Sequence, residues 1–455
     1  MLFTEIRFYL FLVLVFSFYQ FFPKKHKGFL LLLASYIFYM FLDIRFISLL
    51  LISTLTDFVC GLLVTRKDKI KKLALFFSLF INLGLLFSFK YLKELIKQIN
   101  FFLDWNLPIY EGFLSGAFPI GISFYTFQTL SYTIDCYKEK FKPIKSFPLF
   151  ALYVSFFPQL LAGPIERPST LIPQLKKLEK IKWINIKQSI PIFFWAGFKK
   201  NFVAGNIYPM LQTVFLQPQL NLYEILLASF LITLVVYCDF SAYSDFARAT
   251  AKIINVDLNV NFRPYIFSKN PEEFWKSWHL SLTEWIRDYV FFPLVRTKIG
   301  RRHTSSCFMV VFLLVGLWHG AEWTWLAWGL SAFYFFILFR EVIKKSSFLN
   351  TSFLTVPLMF LMYILLGFFH ELRFLELPKL TEMDIKSLGE FVGIIKAISP
   401  FLLPFLIYEF FIFKTKEQEP ILKASSFLKG IFYAMCVFGI FFQTNNLTNF
   451  IYFGF

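Results

Sequence analysis

Long apolar runs separated by short charged stretches organise this chain. Runs of roughly membrane length lie near 8–22, 28–42, 46–65, 73–89, 113–134, 147–163, 189–215, 223–241, 305–320, 321–339, 353–369, 391–413 and 428–445. A helical span needs about 20 mostly apolar residues, so the pattern predicts an all-α polytopic membrane protein with about 11 to 13 transmembrane or re-entrant helices. The first run closes on Phe21-Phe22-Pro23-Lys24 with no small-residue cleavage site and reads as a membrane anchor, not a removed secretion signal. No stretch is long and polar enough to form a separate soluble domain, and no internal repeat of the kind found in many transporters is visible. The expectation is a single membrane domain over 1–455, with a chemical core at about 119–340.

The pattern is interrupted most between 119 and 328, where Pro, Gly, His, Trp and apolar-flanked carboxylates concentrate. Tyr125, Gln128, Tyr132 and Asp135 fall at helical spacing and put a polar stripe on one membrane helix. Such a stripe either lines a cavity or bonds neighbouring helices. Pro158, Gly163, Pro164, Pro168 and Pro173 punctuate a stretch that cannot be one continuous helix. At membrane depth a broken element requires protein or a water-filled cavity around it. Asp239 and Asp245 sit near the end of one apolar run and Asp57 inside another. Interhelical hydrogen bonds or ion pairs, with Arg248 or Arg263 as candidate partners, are the favoured reading over direct proton transfer.

Residues 270–294 have a different period. Asn270 and Pro271 start a helix with Glu273 in the capping-box position, and Trp275, Trp278, Leu282, Trp285, Ile286 and Tyr289 then recur at three- and four-residue steps. Lys276, Thr283, Glu284, Arg287 and Asp288 take the other faces. This predicts a Trp-rich amphipathic helix lying in the membrane interface, with His279 on its protein-facing side.

Composition sharpens this picture. The chain is 57% hydrophobic and 22% aromatic, with 67 Phe and mean hydropathy +0.60. A formal charge of +17 suggests nucleic-acid binding until its distribution is considered. The basic residues sit in short clusters between apolar runs (Lys24, Lys25 and Lys27; 66–72; 138–145), the pattern of cytoplasmic loops and lipid headgroup contacts. The first two clusters lie one helix pair apart, which puts the N-terminus and the loop holding Asp43 and Arg45 outside. The alternation then fails at the basic stretch 166–187, so one segment between 90 and 165 is expected to be re-entrant. Cys60, Cys136, Cys238, Cys307 and Cys436 are dispersed and odd in number, which argues against a disulfide framework or a zinc site.

Of the five histidines, His26, His303 and His370 lie in or beside charged loops and read as solvated. His279 and His319 are embedded among Trp and apolar residues. His319 stands within a run from Ser305 to Phe339 that is broken only by Glu322. A desolvated neutral imidazole is available as a base at neutral pH. The forty-residue spacing with no nearby Cys or third His is not a zinc signature, and no nucleophile elbow accompanies the pair. Gly316 and Gly320 beside His319 leave backbone bare for close approach by a ligand. The combination suits direct transfer, in which a histidine deprotonates a hydroxyl that attacks an activated acyl group.

These residues resemble the membrane-bound O-acyltransferases, in particular the bacterial branch with the alginate O-acetyltransferase and the D-alanyl-transfer protein of teichoic acid modification. The resemblance spans nearly the whole chain. It is carried by 119–128, Gly163-Pro164-Ile165-Glu166-Arg167, Asp239-Phe240-Ser241-Ala242-Tyr243-Ser244-Asp245, Asn261-Phe262-Arg263-Pro264-Tyr265, Phe274-Trp275 through His279 to Arg287-Asp288-Tyr289, Gly316-Leu317-Trp318-His319-Gly320-Ala321, and the ending Phe450-Ile451-Tyr452-Phe453-Gly454-Phe455. It implies a ring of tilted helices around a central tunnel, with His319 as catalytic histidine and His279 as the second functional histidine. Trp318, Trp278, Trp285, Asp239, Asp245, Arg287, Asp288, Tyr125 and Gln128 are the accompanying candidates for binding substrate or lining the tunnel. Ala242 stands where the family usually has Gly, and 291–296 lacks the usual glycine-containing turn; both positions bear on acceptor or partner recognition.

The implied activity is transfer of acetyl groups across a bacterial inner membrane to hydroxyls of an exported, alginate-like polysaccharide or a cell-envelope glycan. No metal and no bound cofactor are expected; acetyl-coenzyme A or an acylated carrier protein would be the donor, and a periplasmic transferase a candidate partner. D-alanyl transfer to teichoic acid from a carrier protein is the alternative within the enzymes. A polysaccharide exporter or flippase is the alternative outside them, disfavoured by the lack of repeated halves and of ionisable groups across several helices.

Overall fold

A backbone surrounded by hydrocarbon must satisfy its polar groups internally, and helices do so within one segment. A computed structural model of the chain describes residues 3–66, 68–108, 119–216, 222–346, 352–371 and 388–442. Every regular element among the described residues is helical. In chain order they are α1 (Ile6–Phe21), α2 (Lys27–Met40), α3 (Phe46–Leu63), α4 (Asp68–Lys90), α5 (Leu92–Leu103), α6 (Ile122–Tyr137), α7 (Phe147–Ser155), α8 (Pro168–Leu175), α9 (Trp183–Gly197), α10 (Gly205–Phe215), α11 (Leu222–Ile253), α12 (Pro271–Trp275), α13 (Leu280–Ile286), α14 (Phe292–Val295), α15 (Lys298–Arg302), α16 (Thr304–His319), α17 (Trp323–Leu338), α18 (Ser352–Glu371), α19 (Leu388–Thr415) and α20 (Ser426–Phe441).

Five helices among the described residues are long and apolar enough to cross a membrane: Phe46–Leu63, Lys69–Lys90, Leu222–Ile253, Trp323–Ile343 and Val392–Thr415. Four shorter apolar helices, Ile6–Phe21, Thr304–His319, Leu354–His370 and Ser426–Phe441, accompany them. Some of the apolar runs depart from a simple span. The run at 147–163 yields only the nine-residue α7, about 14 Å long, followed by buried non-helical chain. The run at 189–215 is interrupted by a π-helical turn, Phe198–Ala204. The expected 113–134 run lies partly outside the described residues, and the terminal 450–455 motif lies wholly outside them.

The chain gathers into two compact units, Met1–Ile190 with Ser244–Val260, and Pro191–Tyr243 with Asn261–Phe455. In the first, buried polar groups join helices. Asp57 of α3 accepts hydrogen bonds from Ser78 and from Asn82 Nδ2 (2.6 Å) on α4, and from Thr133 Oγ1 (2.6 Å) on α6. The polar stripe of α6 likewise bonds its surroundings: Gln128 Nε2 donates to the Tyr153 carbonyl at 2.5 Å, and Tyr132 Oη accepts from the Ile144 N–H at 2.9 Å. Of the two readings of that stripe, the structure supports helix bonding. Glu166, fully buried, accepts from Asn259 N–H (2.6 Å) and Nδ2 (2.9 Å), which ties the proline-broken stretch to the segment after α11.

In the second unit, α16 and α17 pack through two glycines. A Cβ on Gly316 would lie 2.3 Å from the Trp325 carbonyl oxygen, and one on Gly329 would lie 2.5 Å from that of Phe312. Both obstacles are backbone, so neither can move aside by changing rotamer. Gly329→Ala is expected to destabilise the protein by about 1–3 kcal/mol through overpacking. A melting curve in detergent checks this, and an unchanged melting temperature would show that the helix pair yields more easily than its backbone contacts suggest.

Candidate active site

His279 owes its position to a helix that starts well and stops early. The Asn270 side chain accepts the Glu273 N–H at 2.9 Å and Pro271 fills the first turn, as predicted; Glu273 Oε2 reaches back one residue further than a capping box requires and accepts the Lys269 N–H at 2.9 Å. The helix then ends at Trp275, and His279 adopts φ 43°, ψ 55°, the left-handed region. The continuous amphipathic helix expected over 270–294 is therefore broken at His279. Its two pieces nonetheless bury Phe274, Leu282, Trp285 and Ile286 and expose Glu273, Lys276, Glu284 and Arg287, as the period demands.

Left-handed backbone costs an L-residue roughly 1–2 kcal/mol and persists only where surrounding structure imposes it. Asn261 supplies that structure. Its backbone carbonyl accepts the Leu280 N–H at 2.8 Å, and its Oδ1 accepts Ser281 N–H (3.2 Å) and Oγ–H (2.9 Å). The same oxygen lies 3.2 Å from His279 Nδ1. An Nδ1–H donated there puts the ring's lone pair on Nε2. His279 lies in the short-helix segment outside the spanning helices and is only 3% exposed. Burial lowers its pKa to about 3, so the ring is neutral at any ordinary working pH.

His319 is the last residue of α16. Gly320 follows in extended backbone, and α17 begins at Trp323. The His319 ring stacks on Trp325 (centroids 4.9 Å, 18°) and meets Trp328 and Trp318 edge-on, each at 4.9 Å. Trp318 in turn packs against His279 at 5.7 Å. The lack of a side chain at Gly320 is used by an indole: Trp325 Cδ1 lies 2.5 Å from where a Gly320 Cβ would be. The glycine thus admits Trp325 against the histidine ring.

Two cavities share Trp278, His279, His319 and Trp328 as walls. The larger, about 430 Å³, has apolar sides including Phe308, Phe312 and Phe336, with Glu272, Lys276 and Arg287 among its polar residues. The smaller, about 40 Å³, is bounded by residues of α11, α17 and α18. Chemically the arrangement offers two imidazoles in an indole-lined, largely apolar setting that adjoins both a large and a small compartment. Among the described residues no group of three or more His, Cys, Asp or Glu side chains is placed to hold a metal ion.

The other sequence candidates are distributed unevenly. Trp278 lines both cavities and Arg287 the larger one; Trp318 packs against both histidines. Trp285 packs at a tilt against Tyr289 (5.0 Å, 46°), and Asp288 pairs with Arg287 Nε at 3.0 Å. Asp239 forms a buried ion pair with Lys200 at 2.5 Å, a partner the sequence reading did not name, and Asp245 pairs with Arg248 at 2.9 Å as expected. Neither carboxylate is among the wall residues of these two cavities. Tyr125 and Gln128 are buried in the other unit.

His370 corrects the sequence reading most directly. His26 and His303 are exposed as expected, but His370 is only 7% exposed and lines the smaller cavity. Its proximity to a charged stretch misled. The usable signal was its spacing from Tyr363, Leu366 and Gly367, which share the buried face of α18. Asn261 and Trp325 were also missed as supports of the histidines, because nothing local marks a residue whose partner is distant in sequence.

An all-helical membrane chain with paired histidines between indole-lined cavities defines a class that comparison with known proteins specifies. The model of the membrane-bound O-acyltransferase family matches residues 31–377. The chain is 30% identical over 329 residues to the peptidoglycan O-acetyltransferase of Helicobacter pylori, covering 66% of this chain and 62% of that protein. It is 32% identical over 336 residues to a probable alginate O-acetylase of Azotobacter vinelandii, with 70% and 65% covered. Similarity extends to the teichoic acid D-alanyltransferase of Bacillus subtilis, 30% identical over 230 residues, with 46% and 56% covered. The chain belongs to the membrane-bound O-acyltransferase family. The matched region spans 62% and 65% of the first two relatives' lengths.

Proposed function

We propose that this protein is an O-acyltransferase of a bacterial inner membrane that moves acetyl groups to hydroxyls of an exported polysaccharide or cell-envelope glycan. The observation that carries the reading is the meeting of two cavities at His279 and His319. His319 acts as general base: it takes the acceptor hydroxyl's proton as that oxygen attacks the thioester carbonyl. Collapse of the tetrahedral intermediate breaks the C–S bond, and the leaving thiolate recovers the proton. The oxygen ester forms without an enzyme-bound acyl intermediate. Neutral His279, held by Asn261, positions the donor or acceptor or relays the proton. Trp325 and Trp328 fix the His319 ring and keep water from the thioester.

The larger cavity, with its apolar walls and the cations Lys276 and Arg287, suits an anionic thioester donor such as acetyl-coenzyme A or an acylated carrier. The acetylating relatives support acetyl as the group. Similarity to D-alanyltransferases favours a second reading, D-alanyl transfer from a carrier protein to teichoic acid. Membrane vesicles holding the protein, supplied with radiolabelled acetyl-coenzyme A and a de-acetylated uronate oligosaccharide, are expected to put label into the glycan. Movement of unmodified glycan without labelling would mean an exporter, and incorporation of D-alanine but not acetate would establish the second reading.

A further inference from the structure

The smaller cavity contains a histidine to which the transfer reading assigns no task. His370 lies on α18, and its ring meets the Trp325 indole edge-to-face at 5.5 Å. That indole also stacks on His319, so one tryptophan lies against both imidazoles. The smaller cavity's walls include all three of His279, His319 and His370. The remaining walls are mainly aliphatic and aromatic. Thr233 also contributes, and its hydroxyl donates to the Tyr363 carbonyl at 3.1 Å. Apart from indole N–H groups, the imidazoles therefore dominate the hydrogen-bonding chemistry facing this space.

Size separates the two compartments by what they can hold. A volume of about 40 Å³ exceeds what a single water requires but falls far short of a thioester with its carrier arm. It fits a hydroxyl and the carbon that bears it. The cationic side chains Lys276 and Arg287 belong to the other, roomier cavity. His319 lines both cavities, so a donor in the large one and an acceptor hydroxyl in the small one would both border its side chain.

We propose that His370 is an acceptor-binding residue, hydrogen-bonding the hydroxyl-bearing group of the acceptor in the small cavity so that its oxygen is presented to His319. The proposal rests on the reading of His319 as the transfer base. It assigns acceptor selection to α11, α17 and α18, and it gives Trp325 a double task as backing for both the base and the acceptor-binding ring.

Two substitutions separate binding from packing. His370→Gln keeps hydrogen-bonding capacity and loses the ring; His370→Phe keeps a flat ring against Trp325 and loses the hydrogen bond. With acetyl-coenzyme A as donor and a uronate oligosaccharide or glycerol as acceptor, His370→Phe is expected to raise the acceptor KM by about tenfold, the scale of one lost hydrogen bond. Donor KM should stay within about twofold, and His370→Gln should lie near the wild type. The opposite ranking, with Phe tolerated and Gln impaired, would reduce His370 to packing. A rise in donor KM alone, or no change in either variant, would also overturn the proposal.

Carbethoxylation of the wild-type protein provides a test that survives any misfolding of the variants. Diethyl pyrocarbonate is expected to modify His370, with protection by the acceptor probe and not by coenzyme A; absence of that protection counts against the assignment. Activity of His319→Ala is the separate control. If that variant transfers normally, the base reading fails on its own evidence, whereas the KM split and protection pattern report on His370. If the wild type transfers to neither probe, the proposed function fails and the protection experiment alone decides the role of His370.

Discussion

His319→Ala is expected to lower acetyl transfer by about 10²- to 10⁴-fold, the usual contribution of a general base. The structure gives reasons to expect the variant to fold. His319 is half-buried at the last position of α16, next to a break that Gly320 and the start of α17 already provide. Removing the ring opens space beside Trp325 and Trp328 without leaving a charge buried. The measurement is initial transfer rate in membranes, normalised to inserted protein. Full activity with normal insertion would end the assignment. His319→Gln adds a distinction: it retains a polar group near the original ring but cannot accept the proton, so it should be nearly as inactive as Ala.

The largest expected loss of stability lies away from the histidines. Lys200, on the π-helical turn Phe198–Ala204, pairs with Asp239 of α11 at 2.5 Å, and both side chains are only 1% exposed. Beside them, Lys199 donates to Ser241 Oγ at 2.7 Å. A π turn widens the helix by one residue, and here it brings two consecutive lysines into the interior. Removing one member of a buried ion pair typically costs about 3–5 kcal/mol, because the remaining charge stays desolvated. Lys200→Met or Asp239→Leu alone should therefore sharply reduce the yield of folded protein. The double replacement should recover much of it, since an apolar pair leaves no charge behind. Fluorescence-detected size-exclusion chromatography in detergent reads out the comparison. Equal yields from the single and double variants would mean that the pair's mutual compensation is not what matters.

Legibility depended on the distance over which each feature is encoded. The helix start at Asn270 and the apolar face that follows are readable because capping and three- and four-residue periodicity are local. The break at His279 was not, because helical spacing continues through it. Its left-handed turn is imposed by Asn261, eighteen residues earlier in the chain. Asp239 was recognised as a buried carboxylate needing a partner, but two arginines near in sequence were more conspicuous than Lys200. His370 was judged by its neighbours in the chain, whereas its environment comes from α11 and α17.

The sequence alone determined the all-helical membrane character, the amphipathic period of the Trp-rich segment and the two histidines set among Trp and apolar residues. Apolar run length, helical period and the cost of polar groups in an apolar setting act on neighbouring residues, so they can be read along the chain. Only the tertiary structure decided that Gly320 makes room for Trp325, that Asn261 imposes the turn at His279, and that His370 joins the smaller cavity. Those outcomes arise from close approach of side chains far apart in sequence, where steric fit and hydrogen-bond geometry have no local periodic signature.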